Sequence, residues 1–187
     1  MEKEIWKDIP DYEGYYQVSN LGRIKSLERL IKYRDGRKRR YPSVVIKDRD
    51  KDGFARVVTL KKNNKGKTFT VNCLVMLGFI GKPPKGYEIC HNDGDYQNNK
   101  LDNLRYDIRS ENRIDNYRYG RKASKGKLFI DDVLEIRNRY KNENITHKEL
   151  SAIYGVNMSC IGKIIRKENF KWLNDDGTIS ESKTQIK

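Results

Sequence analysis

The sequence predicts an α+β fold, an elongated modular chain with strands in its first part and helices at its end. Three observations carry that prediction. Apolar residues alternate with period two in Arg23–Leu27 and more loosely in Tyr15–Ser19, and the β character continues over residues 43–71, broken by glycine-containing turns. Near Val71 the period changes to that of a short helix. From Asp131 onward apolar residues recur at helical spacing behind recognisable capping residues.

Taken in order, residues 4–30 read as a small β module. Tyr15–Ser19 and Arg23–Leu27 are its clearest strands, joined by a tight Asn20-Leu21-Gly22 turn. Arg23 and Lys25 fall on the outward positions of the second strand. A basic run follows, with Lys32, Arg34, Arg37, Lys38, Arg39 and Arg40 around an Asp35-Gly36 turn. It is expected to be a ribbon that contacts phosphates. Val44–Ile46, Ala55–Leu60 and Thr68–Val71 continue as an antiparallel meander. Val71–Ile80 then fits one face of a short helix, and Pro83-Pro84-Lys85-Gly86 leads into a strand at Tyr87–Cys90.

Ser110 is expected to cap a polar helix that runs to about Tyr119. Gly120–Gly126 reads as a basic linker that also follows the partner, with Arg121 and Lys122 in it. Asp131–Tyr140 is an amphipathic helix. Thr146 and Glu149 form a capping box for the next helix, which turns at Gly155. Asn157 caps a last helix from Met158 to Arg166, with Ile161, Ile164 and Ile165 inward. This is the helix-turn-helix plan, and Met158, Ser159, Gly162 and Lys163 would face a major groove. Residues 175–187 read as a disordered tail.

Charge narrows the partner. There are 40 Lys and Arg residues against 26 Asp and Glu, which leaves +14 over 187 residues. A soluble surface explains many charges but not an excess of one sign, so a polyanion is implied, nucleic acid ahead of membrane. No apolar run approaches the roughly 20 residues that span a bilayer. The first residues lack the order of a signal peptide, so a cytoplasmic protein is expected. Cys73, Cys90 and Cys160 form no CxxC pair and read as buried thiols in a reducing compartment. The signatures of common RNA-binding modules are absent.

The chemistry concentrates in Cys90-His91-Asn92-Asp93-Gly94-Asp95, Asn98-Asn99, Leu101-Asp102-Asn103-Leu104-Arg105 and Ser110-Glu111-Asn112. Phosphodiester hydrolysis needs an activated water, a cation to hold the phosphate and leaving oxygen, and fixed geometry. A neutral imidazole is a suitable base near neutrality, and an asparagine carbonyl is a hard oxygen ligand of the kind Mg²⁺ takes.

These motifs closely resemble the ββα-metal (HNH) nuclease core of phage and intron-encoded homing endonucleases of the I-HmuI kind. The resemblance implies that His91 is the general base, that Asn103 holds the loop that orients it, and that Asn112 binds the metal. Upstream, Glu4–Ile9 and Tyr12–Ile24 look like the NUMOD-type DNA-binding element of such proteins. Two positions depart from the family pattern. Cys90 stands where close relatives often carry a metal-binding aspartate, and Asn72-Cys73 stands where a His-Arg pair is usual.

The expected modules are residues 1–60 (NUMOD-type β module with basic ribbon), 61–118 (HNH core), 119–128 (linker), 129–174 (helix-turn-helix) and 175–187 (tail). The expected activity is metal-dependent hydrolysis of double-stranded DNA, with nicking at a long site by a monomer in a phage or bacterial host cell. The expected metal is Mg²⁺, with Mn²⁺ as the alternative, held by Asn112, with Cys90 as the secondary candidate ligand. DNA contacts are expected from Arg23, Lys25, Arg34, Arg37, Lys38, Arg39, Arg40, Arg105, Arg113, Arg121, Lys122, Met158, Ser159 and Lys163. The competing reading is a non-enzymatic DNA-binding regulator built on a degenerate nuclease.

Overall fold

The computed structural model describes residues 2–33, 35–121 and 126–180. Arg34 and Lys122, both expected on DNA, lie outside the described residues, as do residues 181–187 of the expected tail. Contacts divide the chain into two units, one running through Arg109 and one starting at Ser110. Among the described residues no helix is long and apolar enough to cross a membrane.

In the first unit, β1 (Trp6–Asp8), β2 (Tyr16–Ser19), β3 (Ile24–Ser26) and β6 (Val44–Ile46) form an antiparallel sheet in that order. Val18 pairs with Ile24, and both are buried, as the alternation predicts. β4 (Arg29–Lys32) and β5 (Lys38–Tyr41) form a separate two-stranded ribbon, the basic run of the sequence. β7 (Arg49–Lys51), β8 (Ala55–Lys62) and β9 (Lys65–Thr70) make a third sheet. β8 runs through the module boundary expected between residues 60 and 61.

Helix α1 (Val71–Phe79) starts directly from β9 and buries Val71, Leu74, Val75 and Met76. Gly78 lets it approach β2, since a Cβ there would come within 2.7 Å of Val18 Cγ1. The Tyr16 hydroxyl ties the first sheet to β8, donating to the Lys61 carbonyl and accepting from the Lys61 N–H, each at 3.1 Å. One core therefore gathers Val18 and Ile24 from the first sheet, Ile9 just after β1, Leu60 from β8 and Leu74 from α1, together with Tyr106 further along the chain. β10 (Tyr87–His91) and β11 (Leu104–Ile108) complete the unit as an antiparallel pair.

In the second unit, α2 (Arg109–Arg118) follows β11 without a connecting loop. Ser110 is therefore inside the helix, not its cap, because the strand feeds the helix two residues earlier than expected. α3 (Ile130–Asn142), α4 (His147–Tyr154) and α5 (Met158–Ile165) bury Val133, Ile136, Leu150, Ile161 and Ile164 together. Thr146 and Glu149 make the expected capping box, and the Asn157 side chain accepts from the Cys160 N–H at 2.7 Å.

Arg137 is 9% exposed and donates to the carbonyls of Ile164, Phe170 and Leu173, clamping the chain as it leaves α5. A cation near the carbonyl end of a helix is electrostatically favourable, and Ile164 is in the last turn of α5. Gly162 is buried under Arg166 and His147, which corrects its expected place on the groove-facing surface. Residues 175–180 also depart from the expected tail. Ile179 bridges to Leu173 and packs on the core, and Thr178 bonds Asp176 and Asn174. Their polar composition concealed a hydrogen-bonded turn.

Candidate active site

His91 is the last residue of β10 and pairs with Leu104, the first of β11, so the motif that follows it is the loop between two paired strands. Backbone bonds close that loop at its base, where the Asn92 N–H donates to the Asn103 carbonyl at 2.8 Å. Gly94 then turns the chain back, its N–H reaching the His91 carbonyl at 3.2 Å.

Asn103 is 8% exposed and holds the loop with its side chain. Its amide donates to Asp93 Oδ1 at 2.9 Å and to the Asn98 carbonyl at 2.8 Å, while its oxygen accepts from the Asp93 N–H at 3.1 Å. One amide thus satisfies three partners on two sides of the loop. Asp93 completes the knot by accepting from the Asn98 side chain at 2.6 Å and the Asp95 N–H at 2.8 Å.

Burial raises the Asp93 carboxyl, but the hydrogen bonds from Asn98, Asp95 and Asn103 outweigh it and hold the group below its ordinary range. A carboxyl lowered on folding stabilises the native state above its unfolded value, about pH 4, and that contribution is lost as pH falls through the lower, folded value. The loop should stay closed throughout the neutral and mildly acidic range and open below about pH 4. Amide NMR signals of Asp93, Asn98 and Asn103 followed from pH 7 downward would check this; loss of the closed loop above pH 5 would contradict it.

The His91 ring is 6% exposed, so neighbours and not bulk water set its orientation. Nε2 lies 3.2 Å from Asn99 Oδ1, and Tyr96 packs edge-on with ring centroids 5.6 Å apart. Asn99 Nδ2 donates to the Gln97 carbonyl at 3.2 Å, which assigns its oxygen to the imidazole side. An amide oxygen only accepts, so this network places the proton on Nε2 and makes Nδ1 the basic nitrogen of the neutral ring. Asn99 and Tyr96 are the residues that sequence reading missed. Asn98-Asn99 stood inside the motif, but only loop closure shows which of the pair meets the imidazole.

Cys90 is 2% exposed, with its thiol 3.9 Å from the Glu88 carbonyl. A soft, buried thiol fits a hard cation poorly. Among the described residues no three His, Cys, Asp or Glu side chains cluster as a metal cage. Asn112 lies in the second turn of α2, half-buried, and offers a hard amide oxygen. A donor set this sparse suits an ion that keeps much of its water and takes further oxygens from a phosphate, as Mg²⁺ commonly does.

The expected DNA contacts divide by environment. Arg105 is corrected: at 3% exposure it is an internal group, donating to Asp107 at 3.3 Å and to Asn92 Oδ1 at 2.8 Å. Both faces of β11 are covered, so its guanidinium has no open surface to reach DNA from. Arg23 is ion-paired with Glu4, and Lys25 lies over the Trp6 ring at 4.2 Å. On the ribbon, Arg37 pairs with Asp35 and Arg40 with Glu28, whereas Arg39 stacks over Tyr41 at 5.0 Å and Lys38 is exposed. Such exposed pairs are weak and can be exchanged for phosphate. Arg113, Arg121, Met158, Ser159 and Lys163 are all exposed on the second unit.

A strand-loop-strand-helix order with a buried histidine at the first strand's end and an asparagine-stapled loop defines the HNH class of nuclease. Comparison with known proteins agrees. A model of the NUMOD4 motif matches residues 4–69, and one of the HNH endonuclease domain matches residues 73–113. The chain is 36% identical over 138 residues to DNA endonuclease I-HmuI of Bacillus phage SP01, spanning 74% of this chain and 68% of that protein. It is 28% identical over 192 aligned positions to the uncharacterized HNH endonuclease L245 of Acanthamoeba polyphaga mimivirus, covering 97% of this chain and 51% of that one. A solved structure on DNA binding and cleavage by the HNH homing endonuclease I-HmuI aligns with 90% of this chain and 92% of its own, with TM-score 0.46 and 24% identity. The chain belongs to the HNH homing endonucleases and is a phosphodiester-cleaving enzyme.

Proposed function

We propose that this endonuclease cuts duplex DNA by cation-assisted hydrolysis, with His91 as general base, and that it acts as a monomer that nicks one strand. The observation that carries the reading is the buried His91 imidazole at the end of β10, with Nε2 3.2 Å from Asn99 Oδ1; an acceptor there favours the proton on Nε2 and leaves Nδ1 as the basic nitrogen. Water attacks phosphorus while Nδ1 takes its proton; the bond to the 3′ oxygen breaks, and that oxygen leaves with a proton from solvent. Asn103 serves by keeping the loop closed around the base. Asn112 would hold a hard divalent cation, Mg²⁺ or Mn²⁺, which when bound neutralises phosphate charge and steadies the departing oxygen. One base serves one phosphodiester bond, hence a nick.

The chain's net charge of +14 supports a DNA substrate, as do the exposed cations on the ribbon of the first unit and on α5 of the second. In this reading the N-terminal β module and the helix-turn-helix grip separate parts of a long site, with Met158, Ser159 and Lys163 of α5 in a major groove. Supercoiled plasmid incubated with purified protein and Mg²⁺ or Mn²⁺ should be converted to the open circle before any linear form. Asn112→Ala should shift the cation dependence of that conversion to roughly tenfold higher concentration or more. Cutting that is unaffected by a chelator, or unchanged in its cation dependence by Asn112→Ala, would contradict the proposal.

A further inference from the structure

We propose that Asn99 is a positioning residue for His91, and that the β2–β3 turn, Asn20–Gly22, seats Asn99 for that task. The proposal rests on the reading of His91 as the base, and it gives the N-terminal module a part in catalysis besides any grip on DNA. The first link is the contact of Asn99 Oδ1 with His91 Nε2 at 3.2 Å, between two side chains that are 7% and 6% exposed. At such burial few waters compete for either partner, so the amide decides which nitrogen carries the proton.

The second link is the seat. A Cβ on Gly22 would lie 3.0 Å from the Asn99 carbonyl oxygen, 3.2 Å from its carbonyl carbon and 3.3 Å from its Cβ. Those are mostly backbone atoms, which cannot rotate away. The Asn20 carbonyl accepts from the Leu101 N–H at 2.8 Å, so the turn also anchors the chain two residues beyond Asn99. The turn itself is fixed. Ser19 is fully buried, and its hydroxyl accepts from the N–H groups of Leu21 and Arg23 at 3.3 and 3.0 Å. The Asn20 side chain accepts from the Ile5 N–H at 2.7 Å and donates to the Lys3 carbonyl at 3.2 Å. Ordinary packing between neighbours would explain some contact here. It does not explain why a rigid turn meets the backbone of the very residue whose side chain holds the imidazole.

Two glycines make the test clean. Gly22 and Gly14 both have positive φ, 79° and 73°, so alanine carries similar backbone strain at each. Only at Gly22 would the added methyl press on Asn99; at Gly14 nothing lies within 4 Å. Full-length protein labelled with ¹⁵N at histidine contains two such residues, His91 and His147, and a His147→Gln variant assigns the signals. His91 should show the Nε2–H tautomer. Asn99→Leu, similar in volume but without an acceptor, should lose that signature and slow single-turnover plasmid nicking by roughly tenfold to a hundredfold, with gel-shift affinity within about twofold. Gly22→Ala should move the His91 signals and the nicking rate in the same sense, and Gly14→Ala should leave the His91 signals in place.

An Nδ1–H signature in the unaltered protein, or an unchanged signature in Asn99→Leu, would overturn the positioning role. Equal behaviour of the two alanine variants would overturn the seat. Continued nicking by His91→Ala would instead remove the base assignment and leave the tautomer result standing, so the two failures are told apart.

Discussion

His91→Ala is expected to bring nicking below detection while gel-shift affinity stays within about twofold. A positioned general base contributes on the order of 10²–10⁴ in rate, and no second histidine lies in the loop between β10 and β11. The ring is buried against Asn99 and Tyr96 and carries no net charge when neutral, so its loss removes chemistry without removing a phosphate contact. The decisive measurement pairs single-turnover nicking of plasmid with a gel shift at one salt concentration, since phosphate-driven affinity changes steeply with salt. Retained nicking at more than a tenth of the normal rate would remove His91 from the role of base.

Asp107→Ala is expected to cost the first unit about 3 kcal/mol. Asp107 is fully buried and Arg105 is 3% exposed, so truncating the carboxylate leaves a desolvated guanidinium short of its partner, a change that typically costs about 3–5 kcal/mol. The lower figure applies because Arg105 keeps its bond to Asn92 at 2.8 Å. Removing both charges together, as Arg105→Met with Asp107→Leu, should recover most of that loss, because well-packed apolar pairs replace buried ion pairs at little net cost. Nicking should not recover with it, since Asn92, the residue after His91, has lost its bond to Arg105 on β11. Urea unfolding gives the first quantity and plasmid nicking the second. A double variant as unstable as Asp107→Ala would contradict the account.

Much of this was legible because local chemistry and fold agreed. The Tyr15–Ser19 and Arg23–Leu27 alternation, the change of period at Val71 and the caps at Thr146 and Asn157 each had one physical solution, and the structure adopts it. Arg105 was illegible for a stated reason. Leu104-Arg105-Tyr106-Asp107-Ile108 alternates like a strand with one wet face, and alternation cannot show that the second face is also covered. Arginine is also rarely buried, so the default reading put it on the surface. Asn99 was hidden because its partner lies eight residues back across a loop whose closure depends on Asn103. Residues 175–180 were misjudged because a polar segment with one apolar anchor, Ile179, carries too weak a signal to separate from a tail.

The burial of Cys90 has a consequence for how the enzyme meets oxidants. Attack by peroxide or an alkylating reagent needs an accessible thiolate, and Cys90, beside His91, is 2% exposed, whereas Cys73 on α1 is open to solvent. Reagents that titrate surface thiols will therefore mark α1 and spare β10. With the sulfur next to His91 shielded, the nuclease should keep working in an oxidising lysate without added reductant.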